Sequence, residues 1–339
     1  MKPTDFARLL SGFLTAYLGG QRDASPNTIR SYRDTFVLLL RYLGETKSCV
    51  PEKVTLASLD APMIVAFLEH LHTVRGCCAR TCNQRLAALH AFARYVQTEE
   101  PEHLLAMQRV LAIPARRFAR KPVAYLAAAD LGAVLAQPDG ASSVGRRDAV
   151  LLSVLYDTGA RCQELLDLSV KDVRLDTPAQ IRLTGKGRKT RVVPLMASTV
   201  ALLCGHLREH GLAGADTADR PVFAGRTGGH LSRSGIRYLL TKHTQAAARS
   251  RPGLPARIGP HTLRHTKAMH MLQAGIPIVI IRDILGHVDM KTTEVYARAD
   301  LEMKRRALEK TATAPSAPGA RTPPNWRTDR TLMAWLTSL

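Results

Sequence analysis

Three short patterns in the chain carry side chains able to do chemistry. The first is Thr158-Gly-Ala-Arg-Cys-Gln-Glu-Leu165, in which a glycine interrupts an apolar helix and Arg161 follows almost at once. The second is Pro260-His-Thr-Leu-Arg-His265. Here His261 and Arg264 stand three apart, on one face of a helix opened by proline. The positive end of that helix favours a phosphate. The third is Leu285-Gly-His287, followed nine residues later by Tyr296. Taken singly, each has an ordinary structural reading. Arg161 can simply be paired with a carboxylate, His-x-x-Arg recurs by chance, and a lone tyrosine is usually packing. Gly185-Lys186-Gly187 likewise reads as a turn.

The elements that must position these residues are mostly helical. Apolar residues from Phe6 to Leu18 recur at helical spacing. Ser25-Pro26, an N-cap followed by an N1 proline, opens a second helix. Further helices are expected over about Ala61–Val74 and Ala79–Gln97, which gives a first domain of four or five helices over residues 1–110. Arg80, Asn83 and Gln84 lie ahead of the apolar stripe of the last helix, on an end that can face a groove or simply solvent. Residues 111–124 form a proline-bracketed linker with Arg116, Arg117, Arg120 and Lys121, suited to tracking a phosphate backbone. The second domain, 125–310, holds helices near Leu126–Gln137, Arg146–Thr158, Ala197–His210, Ser232–Arg249, His261–Ala274 and Ile278–Leu285. Shorter ones are expected over Thr292–Tyr296 and from Asp300 to about Thr311. Ile181–Thr184 and Thr190–Pro194 around a glycine-rich turn read as a β-hairpin. Residues 311–339 read as a flexible tail with a short terminal helix from Trp326. The fold class is therefore mainly α with a small antiparallel β-sheet.

Charge points to the partner. The 339 residues carry 48 Lys and Arg against 28 Asp and Glu, a formal net charge of +20. Most of that excess lies beyond residue 110. An imbalance of this size suits a polyanion, usually nucleic acid. No apolar run has the length of a membrane helix and the N-terminus lacks a signal-peptide pattern, so a cytoplasmic, nucleoid-associated protein is expected. The six cysteines do not form a disulfide framework in a chain this long. Cys77, Cys78 and Cys82 lack the second ligand pair of a zinc site, so no metal is expected.

The order and spacing of the motifs together resemble the tyrosine recombinases, also called the phage integrase family. The nearest similarity is to Xer-type recombinases and integrases of bacterial mobile elements. The family pattern Thr-Gly-x-Arg-x-x-Glu-Leu is matched at Arg161, Gly-Lys-Gly at Lys186, His-x-Leu-Arg-His at His261 and Arg264, Leu-Gly-His at His287, and Thr-Thr-x-x-Tyr at Tyr296. Lys189 competes with Lys186 as the hairpin lysine. Two residues after the tyrosine the family commonly has His or Thr; this chain has Arg298. Its tail beyond Lys310 is longer than expected of a Xer protein.

The resemblance implies a helical SAM-like core-binding domain followed by a catalytic domain that cleaves and rejoins double-stranded DNA. Tyr296 is the nucleophile of a 3′-phosphotyrosyl intermediate, and His261 transfers the proton. Arg161 and Arg264 clamp the non-bridging oxygens, Lys186 protonates the leaving 5′ oxygen and His287 hydrogen-bonds the transition state. Apart from the resemblance, Glu164 follows Arg161 by one helical turn and either orients that arginine from behind or forms an ordinary helix ion pair, and His265 reads as packing or as a support behind the site. The resemblance also implies four protomers on two DNA sites, homomeric or with a partner recombinase, and neither a cofactor nor a membrane. Integration or excision of a mobile element is the leading expectation. The alternatives are a catalytically silent DNA-binding accessory protein, a chromosome-dimer-resolving recombinase, a type IB topoisomerase and a metal-dependent nuclease.

Overall fold

The computed structural model describes residues 2–119, 123–185, 187, 189–225 and 228–286, together with Thr293, Tyr296, Arg305, Ala334 and Ser338. The chain divides into two units, Met1–Lys121 and Pro122–Leu339.

The first unit is a small helical bundle. Helix α1, Asp5–Gly12, starts where the Thr4 hydroxyl accepts the Ala7 amide at 3.2 Å. The single helix expected from Phe6 to Leu18 instead changes pitch, and Phe13–Gln21 is a π-helix. The wider turn sets Phe13 and Tyr17 against Tyr95, with ring centroids 5.5 and 4.9 Å apart. Helix α2, Pro26–Lys47, is capped at Ser25 as the Ser-Pro pair requires. Helix α3, Ala61–Thr73, begins where Asp60 accepts the Met63 amide at 2.8 Å. Helices α4, Ala79–Glu99, and α5, Leu104–Leu111, follow. Phe6, Phe13, Phe36, Phe67 and Phe92 fill the core. The few aromatics of this chain are thus concentrated here, where each buried ring contributes roughly 2–3 kcal/mol.

The second unit is built around α7, Ser143–Thr158. Val150, Leu151, Leu152, Val154 and Leu155 are all buried, so the second half of this helix buries a broad face in the core. Helices α6, Ala128–Leu135, and α9, Ala197–Glu209, flank it with α11, Pro260–Gln273. Helix α8, Cys162–Leu166, leads to a three-stranded antiparallel sheet in the order β1-β2-β3. Strands β2, Gln180–Thr184, and β3, Thr190–Pro194, are the expected hairpin. Strand β1, Val173–Arg174, was not foreseen, being too short to carry an alternation signal. Ile181 pairs with Val193 and Leu183 with Arg191, so Arg191 shares the inward face of β3 with Val193. Helices α10, Arg233–Ser250, and α12, Ile278–Leu285, complete the unit.

Tyr296 and Thr293 are helical. The expected Asp300–Thr311 and Trp326–Leu339 helices and the tail lie outside the described residues, apart from single positions. Among the described residues, no helix is long and apolar enough to cross a membrane. Nor, among them, do three or more His, Cys, Asp or Glu side chains gather to hold a metal ion.

Candidate active site

Four separate stretches of the second unit meet at the C-terminal end of α12. That helix closes at Gly286, which takes the left-handed conformation with φ of +64°. Its last carbonyls need donors that the helix itself cannot supply. Three arginines supply them. Arg191 Nε donates to the Ile284 carbonyl at 2.8 Å. Arg264 donates to the Leu285 carbonyl at 2.5 Å. Arg161 donates to the Gly286 carbonyl at 3.0 Å. Cations are also what the negative end of a helix dipole favours.

Behind this clamp lies Glu164, 4% exposed. Its two carboxylate oxygens accept from Arg161 at 2.6 Å and from Arg191 at 2.9 and 2.7 Å. The Arg161 backbone amide donates to the same carboxylate at 2.8 Å. Burial alone would raise the Glu164 carboxyl. The hydrogen bonds from Arg191 and from the Arg161 amide outweigh it and hold the group at about 2. Gly185, just before the hairpin turn, is equally constrained: a Cβ there would stand 2.9 Å from Glu164 Oε1.

Arg264 is 3% exposed. It also donates to the carbonyl of Gly159, the left-handed residue that ends α7, at 2.6 Å. Burial first, then the neighbouring charges of Arg161 and Arg191, lower its guanidinium to about 10. Arg161, by contrast, keeps about a third of its side chain open, at 35%. His261 is exposed at the start of α11. Partial desolvation, then the charges of Arg264 and Arg161, lower its imidazole, so it is neutral at pH 7 and able to take a proton.

Tyr296 is buried among Met269, Leu272, Ile281 and Leu285. Its hydroxyl shares a hydrogen bond of 2.7 Å with Nδ1 of His265. Burial raises the phenol, and Arg264 and Arg161 act in the opposite direction. His265 is lowered, by burial and then by His261 and Arg264, and is therefore a neutral partner for that hydroxyl. The arrangement gathers a phenol, two imidazoles and positive charge in one place, which is what attack on a phosphodiester requires.

The structure thus brings together Arg161, Glu164, His261, Arg264, His265 and Tyr296. Lys186 and His287 lie outside the described residues; the competing Lys189 is exposed. Arg191 was missed. One signal could have found it: an arginine in register with buried Leu183, on the apolar face of a strand, needs a buried partner.

The residues suggested for a groove (Arg80, Asn83, Gln84) and for a phosphate-tracking linker (Arg116, Arg117, Arg120, Lys121) all belong to the first unit. Arg80 stacks over Phe118, 5.4 Å from the ring centroid. Asn83 donates to the Arg116 carbonyl at 2.9 Å and accepts the Arg116 amide at 2.8 Å, which pins the linker to α4. Arg116 pairs with Glu69 at 2.5 Å, and Gln84 donates to Ser31 Oγ at 2.9 Å. Arg117 is exposed, and Arg120 and Lys121 lie outside the described residues.

Comparison with known proteins adds an independent line. The Phage integrase family profile matches residues 125–303, and the profile described as Phage integrase, N-terminal SAM-like domain matches residues 12–100. The Sinorhizobium fredii protein y4rC, named as an integrase/recombinase, is 41% identical over 340 residues, spanning 100% of this chain and 99% of that protein. Tyrosine recombinase XerC of Methylobacterium sp. strain 4-46 is 32% identical over 90% of this chain and 93% of its own length. Among solved structures, the fold is similar to a XerH site-specific recombinase bound to its difH substrate. The TM-score is 0.67 at 22% identity, covering 85% of this chain and 81% of that one. It is also similar to the Tn1549 transposon integrase in complex with transposon end DNA, with a TM-score of 0.68 at 16% identity over 89% and 99% of the two chains.

Proposed function

Since the chain belongs to the phage integrase family of tyrosine recombinases, we propose that it recombines specific sites in double-stranded DNA with Tyr296 as its nucleophile. The observation that carries this reading is that Arg161 and Arg264 both hold the end of α12, while His261 and Tyr296, the latter bonded to His265, lie within reach of their charge. The Tyr296 oxygen attacks the scissile phosphorus and gives up its proton to a neutral imidazole. The bond from phosphorus to the 5′ oxygen breaks, and that oxygen takes a proton as it leaves. A 3′-phosphotyrosyl link remains. It keeps the ester energy, so reversal by another 5′ hydroxyl rejoins the strand without ATP.

Arg161 and Arg264 stand beside the phosphate as planar cations suited to its two non-bridging oxygens. Their positions are held by backbone carbonyls, so little reorganisation is needed when charge develops. Lys186 is assigned to the leaving oxygen and His287 to the transition state on the motif alone. Tyr296 is 2% exposed. It therefore has to leave the His265 hydrogen bond and its apolar seat before it reaches DNA.

The same reading takes residues 1–110 as the second half of a DNA clamp and 111–124 as a basic connector along the backbone. It assigns a cytoplasmic, nucleoid-associated location, and an assembly of four protomers on two sites, with or without a partner recombinase. Integration or excision of a mobile element is preferred to chromosome-dimer resolution, because the y4rC relative, matched over the whole of this chain, is named as an integrase/recombinase and a transposon integrase is among the fold's neighbours.

The test is a nicked duplex carrying the end junction of the element, incubated with protein in EDTA and run on a denaturing gel. A covalent adduct with the wild type, lost in Tyr296→Phe while DNA binding persists, supports the proposal. Specific binding without any adduct would point to an accessory role.

A further inference from the structure

We propose that Arg191 is a positioning residue for DNA cleavage, locking Arg161, the β2–β3 hairpin and the end of α12 into one unit. This rests on the recombinase reading above. The argument starts from the number of places one side chain touches. Arg191 leaves β3 two residues after Lys189, on the strand that closes the hairpin holding Lys186. Its two terminal nitrogens take both oxygens of Glu164, at 2.9 and 2.7 Å. Its Nε takes the Ile284 carbonyl at 2.8 Å. All three of its side-chain nitrogens are thus engaged within the protein, on groups that carry other parts of the site.

Glu164 is shared, since its Oε1 also accepts from Arg161 at 2.6 Å. One buried carboxylate therefore sets the distance between Arg161 and Arg191. Gly286 completes the lock. A Cβ there would meet Arg191 Cδ at 2.8 Å, so the glycine that precedes His287 lies directly against this side chain. Three of the family motifs are thus tied to a residue that belongs to none of them. The bidentate fork with a third donor behind it is specific to a guanidinium; an ammonium can reach one of these partners but cannot span all three.

The experiment compares wild type, Arg191→Lys and Arg191→Gln, each first checked for wild-type circular dichroism and cooperative unfolding. Single-turnover adduct formation is measured at saturating DNA on the nicked duplex. It is repeated on one whose scissile phosphate is a neutral methylphosphonate. DNA affinity is measured alongside. Misplacement of Arg161 is expected to slow adduct formation about tenfold to a hundredfold on the phosphate, with affinity unchanged. The slowing is expected to shrink on the methylphosphonate, which has less charge for Arg161 to neutralise. Amide exchange is expected to rise in peptides covering 158–166, 180–195 and 278–286 and nowhere else.

Equal slowing on both substrates with a global rise in exchange would overturn the proposal, because Arg191 would then be only a fold-stabilising residue. An unaltered rate would overturn it too. Absence of adduct with the wild type would refute the recombinase reading itself, and is distinguishable because the exchange pattern is read without DNA.

Discussion

Glu164→Gln is the perturbation whose cost can be worked most directly from the structure. The carboxylate accepts four hydrogen bonds, two on each oxygen, from Arg161 and Arg191. Glutamine keeps one oxygen and replaces the other by an NH2 group, which faces two donors it cannot accept. Two hydrogen bonds involving charged groups or a buried amide are lost, at roughly 1.5–3 kcal/mol each where a charge is involved. Two guanidiniums are left without their counter-charge, and breaking a buried pair costs about 3–5 kcal/mol. Both routes agree on a loss of about 3–5 kcal/mol, against a typical stability of roughly 5–15 kcal/mol for a whole domain. The assay is urea unfolding of the wild type and the variant, read by far-UV circular dichroism. A pH series adds a second check. The folded carboxyl sits at about 2 against 4.5 for a free one, so its contribution is complete above pH 4.5 and is lost as pH falls towards 2. Glu164→Gln should lack that segment of the curve. A loss under about 1 kcal/mol, in the range of exposed ion pairs, would refute the argument that this carboxylate organises the site.

Three further outcomes follow from the geometry. Gly286→Ala forces a left-handed φ on alanine, costing about 1–2 kcal/mol, and drives its Cβ into Arg191; thermal unfolding should show the loss, and adduct formation should fall with it. Because His261 and His265 are both lowered from 6.5, single-turnover cleavage should hold its rate at pH 7 and decline only below about 6.5 as they protonate; a decline already complete at pH 7 would contradict the neutral-imidazole assignment. Asn83→Ala removes both hydrogen bonds that pin Arg116 to α4, and should weaken DNA binding in a mobility-shift titration while leaving the cleavage rate of bound DNA unchanged.

What the sequence made legible was periodic or punctuated. Ser25-Pro26 announced α2, and the glycine-rich turn between two β-branched runs announced the hairpin. That Arg161, Arg264 and Tyr296 would lie close together was expected from motifs that resemble those of the phage integrase family. What escaped were features set by tertiary contact. The π-helix at Phe13–Gln21, which sets Phe13 and Tyr17 against Tyr95, leaves no mark in the 3.6-residue apolar period. The bond between His265 and the Tyr296 hydroxyl joins residues 31 positions apart; His265 was expected to play a supporting role, with no indication of its partner. Arg191 lies on a short strand whose charge reads as solvent-facing, and only the register with Leu183 turns it inward.

The central claim is that Tyr296 becomes covalently joined to DNA. The most direct measurement is tandem mass spectrometry of the adduct after protease and nuclease digestion. The account predicts one modified peptide, carrying a nucleotide through its 3′ phosphate on the Tyr296 oxygen. A linkage on any other residue, or through a 5′ phosphate, would contradict it.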